Sequence, residues 1–211
     1  LAVCVLSLSA CKEEKAASNS GPIGQKISIA DAKLDVQLDK LKLPEGFTID
    51  VWAADVPNAR SMALSETGIV FVGNRQENNV YALVDENADG KADSKYILAT
   101  DLRMPNGVAI KDGDLYVAEV SRILRFKDIE NNLTNPTYEV VYDGYPDEAH
   151  HGWKFIAFGP DGLLYIPVGA PCNICISEDP IFASITRLDV SKPGAKPEIY
   201  AHGVRNSVGM T

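Results

Sequence analysis

Ile156-Ala157-Phe158-Gly159-Pro160-Asp161-Gly162-Leu163-Leu164-Tyr165-Ile166 reads as two short apolar strands folded back on each other across a glycine-containing turn. Val108-Ala109-Ile110-Lys111-Asp112-Gly113-Asp114-Leu115-Tyr116-Val117 has the same form, and so does Met62-Ala63-Leu64-Ser65-Glu66-Thr67-Gly68-Ile69-Val70-Phe71-Val72. Their turn glycines, Gly68, Gly113 and Gly162, recur at about 45 to 49 residues, the period of a propeller blade. A third strand with a polar end follows each hairpin: Val80-Tyr81-Ala82-Leu83, Ile123-Leu124-Arg125-Phe126 and Ile185-Thr186-Arg187-Leu188. No long amphipathic helix interrupts the rhythm, and Gly, Pro, Asn and Asp punctuate the β-rich runs. The predicted fold class is all-β, a β-propeller of four-stranded blades.

Roughly three and a half blades fit between Leu43 and Thr211, whereas rings close with about four to eight. An open arc leaves strand edges in water, so the expectation is an N-terminal fragment holding about half of the ring. Upstream, residues 1–10 read as the remnant of an export signal. Leu8-Ser9-Ala10-Cys11 resembles the lipobox of bacterial lipoproteins, with Cys11 as the lipidated residue. Residues 11–42 then form a lipidated tether and N-terminal extension, and residues 43–211 the partial propeller, opened by Leu43-Pro44-Glu45-Gly46-Phe47 and an alternating strand over 48–52. The expected location is the periplasmic side of a bacterial membrane. Lys12 after the cysteine favours the outer membrane, and acyl chains there would each add about 0.8 kcal/mol per buried methylene.

With 20 Lys and Arg against 29 Asp and Glu, the chain carries a net charge of −9. No basic cluster stands out, which excludes a nucleic-acid partner as the expected function. Cys172 and Cys175 are the only pair in the expected mature body. Their CxxC spacing is compatible with redox chemistry, zinc or haem attachment, but no His follows Cys175 and no second CxxC accompanies it. A local disulfide pinning a loop is the plain reading. Asp85, Asn87, Asp89 and Asp93 stand around Gly90 as in the first part of a calcium loop. The twelfth position is Tyr96 instead of a bidentate acid, which leaves structural calcium and an unoccupied polar hairpin as alternatives.

The three histidines all fall in the later half of the chain, two of them in His150-His151-Gly152-Trp153-Lys154-Phe155 immediately before a predicted inner strand. In a propeller that position is the rim of the central channel, where ligands bind. The third lies in Tyr200-Ala201-His202-Gly203-Val204-Arg205-Asn206-Ser207, whose Arg and Asn can donate to carboxylates or carbonyls.

These segments, with Leu-Pro-Glu-Gly-Phe at 43–47 and Phe-Gly-Pro-Asp-Gly at 158–162, resemble the glucose/sorbosone dehydrogenase family of soluble quinoprotein aldose dehydrogenases. Gly169-Ala170-Pro171-Cys172-Asn173-Ile174-Cys175 points to the sorbosone dehydrogenase-like branch. The resemblance implies a six-bladed propeller that oxidises an aldose, or a related aldehyde such as sorbosone, with pyrroloquinoline quinone (PQQ) and calcium. By the same resemblance His151 is the general base, a role imidazole fills by exchanging protons near neutral pH; His150 is its neighbour one residue away. Arg205 faces the quinone carbonyl oxygens and Asn206 is a further cofactor contact. The resemblance places the remaining quinone ligands and the calcium ligands beyond Thr211. Asn106 occupies a similar rim position, although turn chemistry alone accounts for an Asn-Gly pair. His151 as a strand cap and Arg205 as a surface ion pair are the plain alternatives. A calcium-dependent lactonase-type hydrolase and a non-catalytic binding lipoprotein are the competing functions. The particular sugar and the electron acceptor stay unspecified.

Overall fold

A computed structural model describes residues 21–211; the export remnant and Cys11 lie outside the described residues. Thirteen strands follow in chain order: β1 (Lys26–Ser28), β2 (Ala59–Leu64), β3 (Val70–Asn74), β4 (Val80–Val84), β5 (Ser94–Ala99), β6 (Gly107–Lys111), β7 (Asp114–Ala118), β8 (Ile123–Phe126), β9 (Glu139–Tyr142), β10 (Ala157–Phe158), β11 (Leu164–Val168), β12 (Ser184–Leu188) and β13 (Glu198–His202). They make three antiparallel sheets, β1-β5-β4-β3-β2, β6-β7-β8-β9 and β10-β11-β12-β13. The three predicted hairpins are β2–β3, β6–β7 and β10–β11, each the start of one sheet.

Two-residue periodicity sends alternate side chains to opposite faces, and the faces between neighbouring sheets are buried. Phe71, Leu98, Val117, Leu124 and Phe126 belong to one buried cluster joining the first two sheets. Tyr116, Ile123, Ile156, Leu164, Ile166 and Leu188 form the next, between the second and third. Each large apolar side chain so buried stabilises the packing by about 1.5–3 kcal/mol.

The N-terminal side of the first sheet departs from the sequence expectation. Ile27 of β1 pairs with Lys95, so the ordered body reaches back into the segment predicted as tether. Residues 48–52 form no strand, although they alternate. The free edge of β5 is already taken by β1. The segment therefore runs across the sheet, where Trp52, Ala53 and Val56 pack on a third cluster containing Val72, Tyr81, Leu83 and Ile97. Its backbone is anchored at one point, Ala92 N–H donating to Trp52 C=O at 2.8 Å.

Antiparallel order divides the connections between two ends of the sheets. The links after β3, β5, β7, β9, β11 and β13 emerge at one end, and the remaining turns at the other. Close backbone approaches tie the first end together. A Cβ on Gly73 would stand 2.2 Å from the Asn106 carbonyl oxygen, and one on Gly107 would stand 2.7 Å from that of Lys154. Among the described residues no helix is long and apolar enough to cross a membrane.

Candidate active site

His151 sits in the connection from β9 to β10, in a tight turn that gives it φ 52°. This left-handed conformation is uncommon for a residue with a side chain, though His tolerates it better than most. Its Nδ1 is 2.9 Å from the carbonyl oxygen of Ala170. A carbonyl only accepts, so Nδ1 carries the hydrogen and donates it, leaving the Nε2 lone pair free to take a proton. The opposite backbone group of Ala170 is also used: its N–H donates to Arg205 C=O at 2.8 Å. One residue therefore fixes the ring of His151 and the backbone of Arg205. Gly169 permits this fit, because a Cβ there would lie 2.5 Å from both Cβ and O of His151.

A second link joins the side chains. Asn173 Oδ1 accepts from Arg205 Nη1 at 3.3 Å and lies 3.2 Å from His150 Nε2, which must donate to it. The rings of His150 and His151 are 4.1 Å apart. A disulfide between Cys172 and Cys175, with Cα atoms 5.8 Å apart, closes the turn that presents Asn173. Cross-linking a short turn limits the orientations Asn173 can take. Arg205 has no carboxylate partner, and Asn206 makes no side-chain hydrogen bond among the described residues. Both amide and guanidinium donors are free to face a ligand. Asn106, buried at the junction of the first two sheets, donates from Nδ2 to Lys154 C=O at 2.7 Å, while its Oδ1 has no donor. It is therefore more than a turn residue.

Three features at this end escaped the sequence reading. Asn173 looks like an ordinary turn residue between two cysteines. Lys154 alternates with apolar neighbours, yet its side chain is buried with the amine 3.4 Å from Gly152 C=O and 5.1 Å from the centre of the Tyr145 ring. Burial draws its pKa down to about 8. Trp153 is 7% exposed beneath two guanidinium groups, with Arg60 Cζ at 4.2 Å and Arg75 Cζ at 5.7 Å from its ring centre. No sequence spacing links these two arginines to the tryptophan.

The calcium-loop residues lie far from the histidines. Asp85, Asn87, Asp89 and Asp93 lie in the β4–β5 connection, at the end opposite His151. Their oxygens turn inward onto the loop: Asp93 accepts from Glu86 N–H at 2.7 Å, Asp85 from Gly90 N–H at 3.0 Å, Asn87 from Asp89 N–H at 2.9 Å and Asp89 from Lys91 N–H at 2.9 Å. These are self-capping turn bonds. Among the described residues no group of three or more His, Cys, Asp or Glu side chains is arranged to hold a metal ion.

The family model described as "Domain of unknown function (DUF7133)" matches residues 33–209. A curated relative, an uncharacterized protein of Borreliella burgdorferi, is 23% identical over 182 residues, covering 81% of this chain and 45% of the relative. Among solved structures, the holo PQQ domain of pyranose dehydrogenase from Coprinopsis cinerea superposes with a TM-score of 0.64 at 16% identity, over 73% of this chain and 41% of that one. A Trichoderma reesei carbohydrate-active enzyme of family AA12 gives 0.62 at 18% identity, over 76% and 44%. The PQQ-bound aldose sugar dehydrogenase of Streptomyces coelicolor gives 0.51 at 21% identity, over 66% and 47%. At these identities the likeness is one of fold, and the chain spans less than half the length of each relative.

Proposed function

The chain belongs to the DUF7133 domain family, and we propose that the protein oxidises an aldose sugar or a related aldehyde, using pyrroloquinoline quinone. The observation that carries this reading is the convergence on Ala170: the His151 ring on its carbonyl and the Arg205 backbone on its N–H. A proton acceptor and a cationic donor, far apart in sequence, are thereby held on one platform. The fold shared with PQQ-binding sugar dehydrogenases supports the same reading.

The residues present fit the quinone. Arg205 and Asn206 offer unengaged donors suited to carbonyl oxygens, and Arg205 spends only one long bond, to Asn173. When bound, the quinone supplies the acceptor for the hydride that leaves the sugar carbon. His151 Nε2 takes the proton of the hydroxyl on that carbon, so the C–O bond gains double-bond character as the C–H bond breaks. The Nδ1–H bond to Ala170 holds the ring in the tautomer and orientation that this requires. Arg205 would hold the quinone by its carbonyl oxygens, and its positive charge would lower the cost of negative charge there. No step is assigned to calcium, since the described residues supply no ligand set for it. A lipid anchor at Cys11 and a periplasmic location belong to the same proposal.

The test is dye reduction by the full-length protein with a panel of aldoses, with and without added quinone. His151→Ala should lower turnover by about 10²–10⁴-fold while quinone binding, followed by its absorbance, is retained. Arg205→Ala should weaken the quinone or slow its reduction. Sugar oxidation that needs no quinone, or full turnover in His151→Ala, would overturn the proposal.

A further inference from the structure

The turn that carries His150 and His151 has little apolar packing of its own from Asp147 to His150, where every residue is exposed. His151 beside it holds a left-handed φ of 52°, a conformation that persists in a residue with a side chain only where its surroundings impose it. Hydrogen bonds at both ends of the turn supply that constraint, and one short segment makes them. Arg103 and Asn106 lie in the link between β5 and β6. The Arg103 guanidinium forks onto Asp147, with Nη1 donating to Oδ1 and Nη2 donating to C=O at 2.8 Å. Asn106 Nδ2 donates to Lys154 C=O at 2.7 Å. The turn's own closing bond, Gly152 N–H to Ala149 C=O at 3.1 Å, falls between these two grips.

The gripping segment is itself fixed. Arg103 N–H donates to Glu119 Oε1 at 2.6 Å, and its C=O accepts from Val120 N–H at 3.2 Å. Glu119 is buried, and its Oε2 lies 2.5 Å from Arg122 Nη2. The same β7–β8 connection reaches the histidine turn directly: Ser121 C=O accepts from Tyr145 N–H at 3.2 Å, and a Cβ on Gly152 would meet Val120 Cγ1 at 3.0 Å. An exposed pair of single charges does little to hold a loop. Arg103 differs, because its planar fork engages both the side chain and the backbone carbonyl of one residue while its own backbone is anchored on two sides.

We infer that Arg103 and Asn106 are positioning residues for His151, a two-ended grip by which the β5–β6 link aims the imidazole. With the turn held at Asp147 and Lys154, the His151 ring meets Ala170 C=O at 2.9 Å and Nε2 is left as the proton acceptor. With either end released, the left-handed residue relaxes and the Nδ1–H bond to Ala170 is made for a smaller share of the time. Misplacing a reacting group by about 1 Å costs about 10²-fold in rate, so partial loss of aim should cost about tenfold or more. The effect on turnover rests on the proton-accepting role proposed above for His151; the effect on the ring does not.

Nitrogen NMR of the full-length protein labelled at histidine reads the ring without quinone or sugar, at a pH where imidazole is neutral. The His151 signals, identified by their absence in His151→Ala, should show the Nδ1–H tautomer in wild type and lose its dominance in Arg103→Ala and in Asn106→Ala. In both variants kcat for the aldose that wild type oxidises fastest should fall about tenfold or more, while KM and PQQ affinity stay within about twofold. Arg103→Lys, which offers a donor but no fork, should fall between. Arg103 is 44% exposed, so its variants should keep the wild-type melting temperature; Asn106 is buried, and if its variant melts early the arginine variants carry the comparison. An unchanged His151 spectrum in Arg103→Ala, or a loss confined to KM or to PQQ affinity, would overturn the assignment. A changed spectrum with full turnover would instead remove His151 from the oxidation and leave the grip standing.

Discussion

Replacing Lys154 with Met should make the protein more stable at neutral pH, although it removes a charged group that is part of a well-packed loop. Lys154 is 1% exposed, and among the described residues its amine faces no carboxylate and has only a 3.4 Å contact to Gly152 C=O and the Tyr145 ring at 5.1 Å for company. Burial lowers its pKa from 10.5 to about 8. At about 1.36 kcal/mol per pKa unit, keeping the amine charged costs the folded state about 3 kcal/mol. Loss of the contact with Tyr145 offsets about 1 kcal/mol of the gain. Methionine matches the length and flexibility of the stem, so the net expectation at pH 7 is about 2 kcal/mol. For a chain of this size that is about 4–8 °C in Tm. The sign with pH follows from proton counting. Between about 8 and 10.5 the unfolded chain holds a proton the folded one has released, so wild-type stability rises with pH through that window. The penalty is fully present below about 8, and all but about 1 kcal/mol of it is gone by pH 10. Burial raises the pKa of Tyr145, which acts oppositely: its contribution is complete below pH 10 and is lost as pH rises further. Urea melts of wild type and variant from pH 6 to 10 isolate the lysine, because the tyrosines are common to both. A variant no more stable than wild type at pH 7, or one that retains the wild-type rise between pH 8 and 10, would refute the reasoning.

Gly169→Ala should reduce sugar oxidation by at least tenfold with a smaller effect on quinone affinity, because the new methyl would stand 2.5 Å from Cβ and O of His151 and displace the ring; steady-state kinetics beside quinone titration would separate the two, and an unimpaired enzyme would count against the placement of His151. Asn173→Ala should leave the unfolding free energy within about 0.5 kcal/mol of wild type, as an exposed substitution does, yet weaken the quinone by freeing Arg205 and His150; unchanged quinone affinity would make the bridge incidental. Asp93→Ala removes the acceptor for Glu86 N–H and Asn87 Nδ2 and should cost about 1–2 kcal/mol equally with calcium or with chelator. A calcium-induced rise in wild-type Tm that vanishes in this variant would instead show that the loop binds calcium.

The hairpins of all three sheets were legible because their signals are local: alternating apolar residues on either side of Gly68, Gly113 and Gly162. The edges of the first sheet were not. Lys26–Ser28 is too short to show alternation, and it is a strand because the outer edge of β5 lacks another partner. Residues 48–52 carry the alternation of a strand and are displaced from that edge onto a sheet face. The aspartates of the β4–β5 loop have calcium-like spacing, but spacing does not reveal that neighbouring backbone N–H groups already use their oxygens.

At the candidate site, residue type and position marked His151, Arg205 and Asn206, while Asn173, Lys154 and the Arg60–Trp153–Arg75 stack carried no readable signal. Strand period and turn chemistry act between residues a few positions apart, so the chain alone determined the all-β architecture and its rhythm. Which nitrogen of His151 carries the proton, which backbone group holds Arg205 and where a buried cation lacks a partner depend on groups brought together across separate sheets. Those features were decided only when the packed tertiary structure set Ala170 between them.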